Sequence, residues 1–396
     1  MAGLRVASLI SRGRDVASVS QSLHAQAAQF CPAALLWMCD SDRAQPVADA
    51  MSDCASASVG AVSKAGLIGG GIECDGSASE TVSAVALAIG LPDGAAALPF
   101  VSTPHGLPEL PWATFAAASA EETPHMLLVA APPRDGAFPL ERWLGMLDVA
   151  LPWAAKVGGL TAGSSGLFMG NTRHDGGAVG LALQGVDLEA RSFQGAVPIG
   201  PAALITACDG NLVRELDGRP VDAVLGETIA RVAQDASGGN LMCGISVPTR
   251  AAALAGGGAC TSDEGAHEYV VRAMLGYSKA QSILAVGASP ELLSASGARL
   301  QLHQFSADAA RAEMRAGATT LKGEGTCGGF MVSCLGRGEP LYGEAGVETA
   351  ELKAALGDSA ALAGFFAGGE VGPVGARTFV HTYTTTIGLL RDKQQL

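Results

Sequence analysis

Apolar and polar positions alternate in two rhythms along the first half of the chain. Short apolar runs at residues 6–11, 33–38, 81–89 and 126–131 have the length and β-branched content of strands. Residues 16–30, a stretch near 45–58 and residues 139–149 carry apolar positions at helical spacing. Residues 66–72 read as a glycine-rich strand end. Strands and helices that alternate in this way predict an α/β or mixed α+β domain with a central β-sheet flanked by helices.

The stretch from Gly158 to Ala230 carries the sharpest local signals. An apolar run, ALITAC, meets Asp209-Gly210 and then LVREL, which predicts a hairpin with its turn at Asp-Gly, where positive φ is tolerated. Asp217-Gly218 stops the second arm. Arg219-Pro220 follows, and proline at a first helical position lacks only an N–H that would be unpaired anyway, so residues 221–234 read as a helix. Further on, residues 242–247, 269–274, 282–286, 300–303, 330–334, 363–367 and 378–389 read as strands and 306–316 as a helix. The two halves share a strand–helix rhythm without a sequence repeat.

Length and composition narrow the function classes. At 396 residues the chain exceeds the roughly 250–300 at which one core stops growing, so two domains are expected. A net charge of −13 with no Lys/Arg run argues against a nucleic-acid binder, which needs a basic face. No apolar run approaches the ~18–20 residues of a membrane span. The N-terminus has no acid before Asp15, which fits either a transit peptide or, as read here, a first strand and helix. A cytoplasmic location is expected, with a plastid or other organelle as the alternative. The 9 cysteines include no C-x-x-C pair and sit mostly in apolar runs, as small buried hydrophobes of a reducing compartment do.

Candidate chemistry is sparse. GLIGGGIECDG, residues 66–76, makes either a tight turn or a backbone cradle for an anion, but it lacks the G-x-G-x-x-G spacing. In SCLGRG, residues 333–338, Arg337 near Cys334 is placed to lower the thiol's pKa; the bland alternative is a strand-end cysteine, a glycine turn and a solvent-facing arginine. Glu370, flanked by glycines at a strand end, suits ligand donors or loop N–H groups. His381 and Thr382 fall within a predicted strand whose alternation puts His381 on one face with Tyr383, and Thr382 with Thr384. The 7 histidines show no H-x-x-x-H, and Gly163-Ser164-Ser165-Gly166 is one residue short of G-x-S-x-G. No catalytic or metal-binding constellation is read from the chain, so the expectation is a protein that is not an enzyme.

Several motifs, in order, resemble the FIST domains (F-box and intracellular signal transduction). They are GGL, Phe168, Asn171 and GAVGLALQG, then VPIGP and ELDGRP, and later SCLGRG, GGEVGP and the His381-Thr382 segment. The resemblance implies two tandem domains, FIST N over residues 1–193 and FIST C over 194–396. It implies a small-molecule sensor of intracellular signal transduction, with amino acids or similar metabolites as ligands. By motif position, Asn171, Cys334, Arg337, Glu370, His381 and Thr382 become candidate ligand-binding residues. A transmitting partner is expected to be a separate protein. Two alternatives follow from the resemblance: a protein-docking module related to ubiquitin-ligase substrate adaptors, and a haem-based gas sensor with His381 or another histidine as the haem contact. Haem is the cofactor the resemblance admits.

Overall fold

A computed structural model of the chain describes residues 3–75, 81–102, 106–116, 119, 122–132, 138–164, 166–234, 239–254, 267–321 and 325–392. Gly76, the residue that ends the glycine-rich segment, lies outside them, as do His105, Ser165, Cys260 and residues 255–266 of the predicted loop. The fold is mixed α+β and divides into two compact units. The first holds Met1–Phe193, Met314–Pro373 and Thr378–Leu396; the second holds Gln194–Glu313 and Val374–Arg377. The chain therefore leaves the first unit after Phe193 and re-enters it at Met314.

The first unit contains three six-stranded sheets built on one plan. Each has two adjacent parallel strands joined through a helix: Ala34–Cys39 and Ala57–Val62 through Gln45–Cys54, His125–Ala130 and Lys156–Leu160 through Leu140–Ala150, and Thr326–Cys334 and Ala361–Ala367 through Val347–Leu356. Parallel neighbours need such a crossover, since a tight turn can only reverse the chain. Beside the first strand of each pair lies an antiparallel strand: Val82–Gly90, Ala178–Gln184 or Thr385–Arg391. Beside the second lies a strand pair that belongs, in sequence, to another sheet's βαβ unit. Gly66–Gly69 and Ile72–Asp75 follow the first βαβ unit but join the third sheet. Leu167–Met169 and Thr172–His174 follow the second and join the first. Glu370–Val374 and Arg377–His381 follow the third and join the second. The exchange is cyclic.

Alternation along the parallel strands explains their continuous apolar composition. In Ala34–Cys39, Leu36 and Met38 enter a core shared by all three sheets with Leu127, Val129, Phe330, Val332 and Phe365. Leu35, Trp37 and Cys39 face the other way, against Val19 and Leu23 of helix Val16–Phe30 and Met51 of helix Gln45–Cys54. The second sheet packs its outer face on Leu140–Ala150 through Trp143, Leu144 and Leu147. The third packs on Met314 and Ala318 of helix Ala307–Thr320 and on Leu352 of Val347–Leu356. A strand buried on both faces shows no polar alternation, so each reads as an apolar run.

The second unit is an antiparallel sheet that closes on itself. Its order is Ala196–Asp209, Arg299–Phe305, Asn240–Pro248, His267–Ser278, Ile283–Val286, Leu212–Leu216 and the two-residue Arg219–Pro220, and Leu212–Leu216 pairs back onto Ala196–Asp209. Closure removes the open edges that would otherwise template aggregation. Helix Val221–Gln234 follows Asp217-Gly218, a turn with both residues at positive φ, 51° and 71°. The hairpin before it turns one residue later than expected: Asp209 pairs with Leu212, and Gly210, at φ 58°, takes the first turn position ahead of Asn211.

Two predicted elements were drawn too long. The helix near 45–58 ends at Cys54, and Ala57–Val62 is a strand. The strand over 378–389 is interrupted between His381 and Thr385 by Tyr383, whose φ of 58° is left-handed. The residue alternation expected across it is broken there.

Backbone crowding at the third parallel pair sets a stability test. A Cβ on Gly364 would lie 1.6 Å from the Met331 carbonyl oxygen, so the strands cannot keep their spacing around it. Gly364→Ala is expected to cost about 3 kcal/mol, the upper end for overpacking, read as a lower urea midpoint. An unchanged midpoint would contradict this strand pairing.

Candidate functional site

The loop that leaves Thr326–Cys334 at its carboxyl end turns its arginine inward. Arg337 is 0% exposed and Glu348, in the first turn of Val347–Leu356, 1%. Arg337 Nε donates to Glu348 Oε1 at 2.6 Å, and Nη2 donates to the same oxygen at 2.5 Å and to the Tyr342 hydroxyl at 3.0 Å. Nη1 donates to the carbonyls of Tyr383 at 2.9 Å and Phe193 at 3.4 Å. The Tyr342 hydroxyl donates on to Glu348 Oε1 at 2.8 Å. Ser333 and Thr385 hydroxyls donate to Glu348 Oε2 at 2.9 and 2.6 Å. Burial by itself pushes the Glu348 carboxyl up, but Arg337 and the Thr385, Tyr342 and Ser333 hydroxyls outweigh it and hold the pKa below its ordinary value.

Cys334 and Glu370 form a second pair beside this network. Glu370 is fully buried; its Oε2 accepts the Thr384 N–H at 3.2 Å, while Oε1 has no oxygen or nitrogen donor. Burial raises its carboxyl pKa well above the ordinary value, against the weaker pull of the Thr384 amide, Arg337 and the Cys334 thiol. Burial first, and then Glu370, push the Cys334 thiol up to about 11. Burial thus favours the neutral form of each, and the Cys334 thiol stays protonated at neutral pH.

A cavity of about 350 Å³ opens beside this loop, walled by Ala65, Glu73, Leu335, Arg337, Glu339, Pro340, Ala345 and Phe366. It lies at the carboxyl ends of the parallel strands Thr326–Cys334 and Ala361–Ala367, the position where open α/β sheets place ligands. Glu73, on the second strand of the exchanged hairpin, is 9% exposed. Its carboxylate accepts the Gly346 N–H at 2.9 Å and the Thr349 N–H and hydroxyl at 3.4 and 3.3 Å, at the start of helix Val347–Leu356. Burial raises its pKa, helped by the nearby Glu348 charge, against those three hydrogen bonds. Gly338, at φ 58° and ψ −140°, closes over it: a Cβ there would lie 2.9 Å from the Phe366 ring and 3.6 Å from Glu73 Oε2.

Two family models match the chain, the FIST N domain over residues 34–219 and the FIST C domain over 247–373. The chain belongs to the FIST family. FIST domains are sensor domains of signal transduction. An uncharacterized protein of Mycobacterium tuberculosis is 29% identical over 349 residues, covering 85% of this chain and 84% of the relative. An uncharacterized protein of Mycobacterium bovis is 30% identical over 285 residues, 68% of each chain.

Of the candidate residues that the FIST resemblance supplies, the structure brings Cys334, Arg337 and Glu370 together. Asn171 stands apart, exposed in the turn between Leu167–Met169 and Thr172–His174, where its carbonyl accepts the Gln45 amide at 2.9 Å. Thr382 is exposed, and its carbonyl accepts the Thr384 hydroxyl at 3.1 Å. His381 is 0% exposed, with Nε2 3.1 Å from the Gly372 carbonyl and its ring 6.3 Å from that of Phe379. An axial haem ligand needs an open face at a ring nitrogen, and the packing around His381 does not fit that group. Among the described residues no cluster of His, Cys, Asp or Glu has metal-binding geometry.

The expected effect of Arg337 on Cys334 is reversed. Arg337 is neither solvent-facing nor aimed at the thiol; its charge is spent on Glu348, and Cys334 meets a carboxyl instead. Glu73 and Glu348 were missed. Glu73 is the one polar side chain of Ile72-Glu73-Cys74, while Glu348, in the first turn of its helix behind Gly346 and Val347, is an acid where the helix dipole favours one and so carries no signal of its own. Among the described residues, no helix is long and apolar enough to cross a membrane.

Two outcomes follow. Glu348→Gln leaves Arg337 buried without its partner and is expected to cost about 3–5 kcal/mol, whereas Arg337→Met with Glu348→Leu recovers most of that loss; equal denaturation midpoints would sink the pair's structural role. Alkylation of Cys334 by iodoacetamide in the native protein stays slow at pH 7–8 and accelerates only as the pH climbs towards 11, because only the thiolate reacts. Fast labelling of Cys334 at pH 7, located by peptide mass, would show an activated thiol.

Proposed function

We propose that the protein is a non-enzymatic small-ligand sensor of intracellular signal transduction, and that the Glu73–Arg337 cavity is its ligand site. The observation that carries this reading is the cavity itself, set at the carboxyl ends of a parallel strand pair and floored by an immobilised ion-pair network. Its walls mix apolar surface from Phe366, Leu335 and Pro340 with the Glu73 carboxylate, the mixture that orients small ligands. The neutral Cys334 thiol and the spent Arg337 charge argue against nucleophilic chemistry there. The signal passes to a separate partner protein.

Protein docking is the second reading, favoured by Leu335 and Tyr383, which are 50% and 38% exposed on the two segments held by Arg337. In that reading the cavity rim is a contact surface and no small molecule is retained.

Native mass spectrometry separates the two. The protein from several expression hosts is expected to carry a reproducible excess mass that is lost on denaturation and reduced by Gly338→Ala, whose added methyl intrudes on the cavity. A bare polypeptide mass from every host would move the assignment to docking.

A further inference from the structure

Glu73 has an unusual electrostatic position for a buried acid. It is more than nine-tenths removed from water, yet among the described residues no lysine or arginine pairs with it. Its partners are dipoles alone: two backbone N–H groups and the Thr349 hydroxyl. Glu348 acts on it repulsively, and the Lys353 ammonium is turned to the Gly70 carbonyl, at 3.5 Å, in the turn of the same hairpin. Among the described residues, the cation in the cavity wall is Arg337, which directs its Nε and Nη2 at Glu348 and its Nη1 at two carbonyls. Glu339 adds a second acid at the exposed rim.

The equivalent end of the first sheet is built differently. There Asp42 has Lys64 as an ion-pair partner and Arg173 close by, and both sides of the Asp42–Lys64 pair are largely solvated. The acid that is exposed has its countercharge, and the acid that is buried beside a cavity has none among the described residues. A buried carboxylate without a countercharge is costly to keep ionised, and the space that would receive the missing cation is the cavity.

We infer that the cavity recognises a small organic cation, an ammonium group on a compact apolar body, with Glu73 as the residue that binds the ammonium. The inference rests on the ligand-binding reading of this cavity and adds the charge of the ligand. The ammonium sits against the Glu73 carboxylate, and the apolar body lies between Phe366, Leu335 and Pro340. Among the described lining residues, a ligand carboxylate finds no free cation and meets Glu73 and Glu339 as like charges. A zwitterionic amino acid therefore binds less well than the corresponding amine.

The test is isothermal titration of the full chain with three probes that share one carbon skeleton: isoamylamine, isovalerate and leucine. The amine is expected to bind, leucine at least tenfold more weakly, and isovalerate not at all. Glu73→Gln keeps the shape and an acceptor oxygen but removes the charge, and is expected to weaken the amine at least tenfold. Ala345→Phe, on the exposed rim, narrows the cavity while leaving the Glu73 side chain itself unchanged and is expected to weaken it about fivefold; it serves if Glu73→Gln fails to fold. Isovalerate or leucine binding as tightly as the amine overturns the inference, as does an amine affinity unmoved by both variants. No binding by the amine also overturns it. In either case a retained native mass of different chemistry leaves the ligand-binding reading standing, and the absence of any retained mass removes that reading as well.

Discussion

The buried Arg337–Glu348 pair is the constraint around which this part of the protein is arranged. Two opposite charges removed from water hold together only when nearly every donor and acceptor is satisfied. Here the partners come from separated stretches of chain: Ser333 at a strand end, Tyr342 on a short helical turn, Thr385 on the neighbouring strand, and the carbonyls of Phe193 and Tyr383. Each bond pins one element. The loop carrying Leu335, Gly336 and Gly338 is thereby fixed, and the cavity wall with it. Tyr383 adopts a left-handed conformation that its side chain disfavours, and its carbonyl is one of the oxygens the guanidinium holds.

The three-sheet plan supplies the frame for that network. Each βαβ unit contributes its strand pair to a different sheet, so no sheet is complete from one continuous segment. Glu73 reaches the third sheet's carboxyl edge only because its hairpin is one of those exchanged. The polar site is thus assembled from residues more than 250 positions apart, as the Glu73–Thr349 and Glu73–Gly346 hydrogen bonds show.

Local structure was legible in the sequence wherever local chemistry decides it. Helix Val16–Phe30 falls where its Asp15 cap puts it and the Asp217-Gly218 turn where its residues do, whereas Pro220, expected at a first helical position, pairs with Glu215 in a short strand ahead of helix Val221–Gln234. Strands such as Lys156–Leu160 and Ala178–Gln184 were not read as separate elements, because glycine-broken apolar runs carry no period when both faces are buried. The repeated plan was invisible for a related reason: it is conserved in hydrogen-bond connectivity, and apolar residues of different identity satisfy it equally. The site was half legible. SCLGRG marked the right loop, but the direction in which Arg337 points depends on Glu348, eleven residues on, and on strands from elsewhere. His381 and Thr382 were placed by alternation, which fails where Tyr383 reverses the backbone.

The order of the chain has a consequence for synthesis. Strand Asp187–Phe193 pairs with Thr385–Arg391, and Leu4 donates its N–H to Asp392 at 3.0 Å. The first unit cannot be completed until Asp392 has been made, while most of the second unit, contained between Gln194 and Glu313 apart from one short return, is made sooner. At roughly 5–20 residues per second, the early strands wait on the order of ten seconds or more with apolar faces uncovered. A chain cut short before Thr385 lacks the strand that pairs with both Asp187–Phe193 and Thr326–Cys334, so its third sheet cannot close.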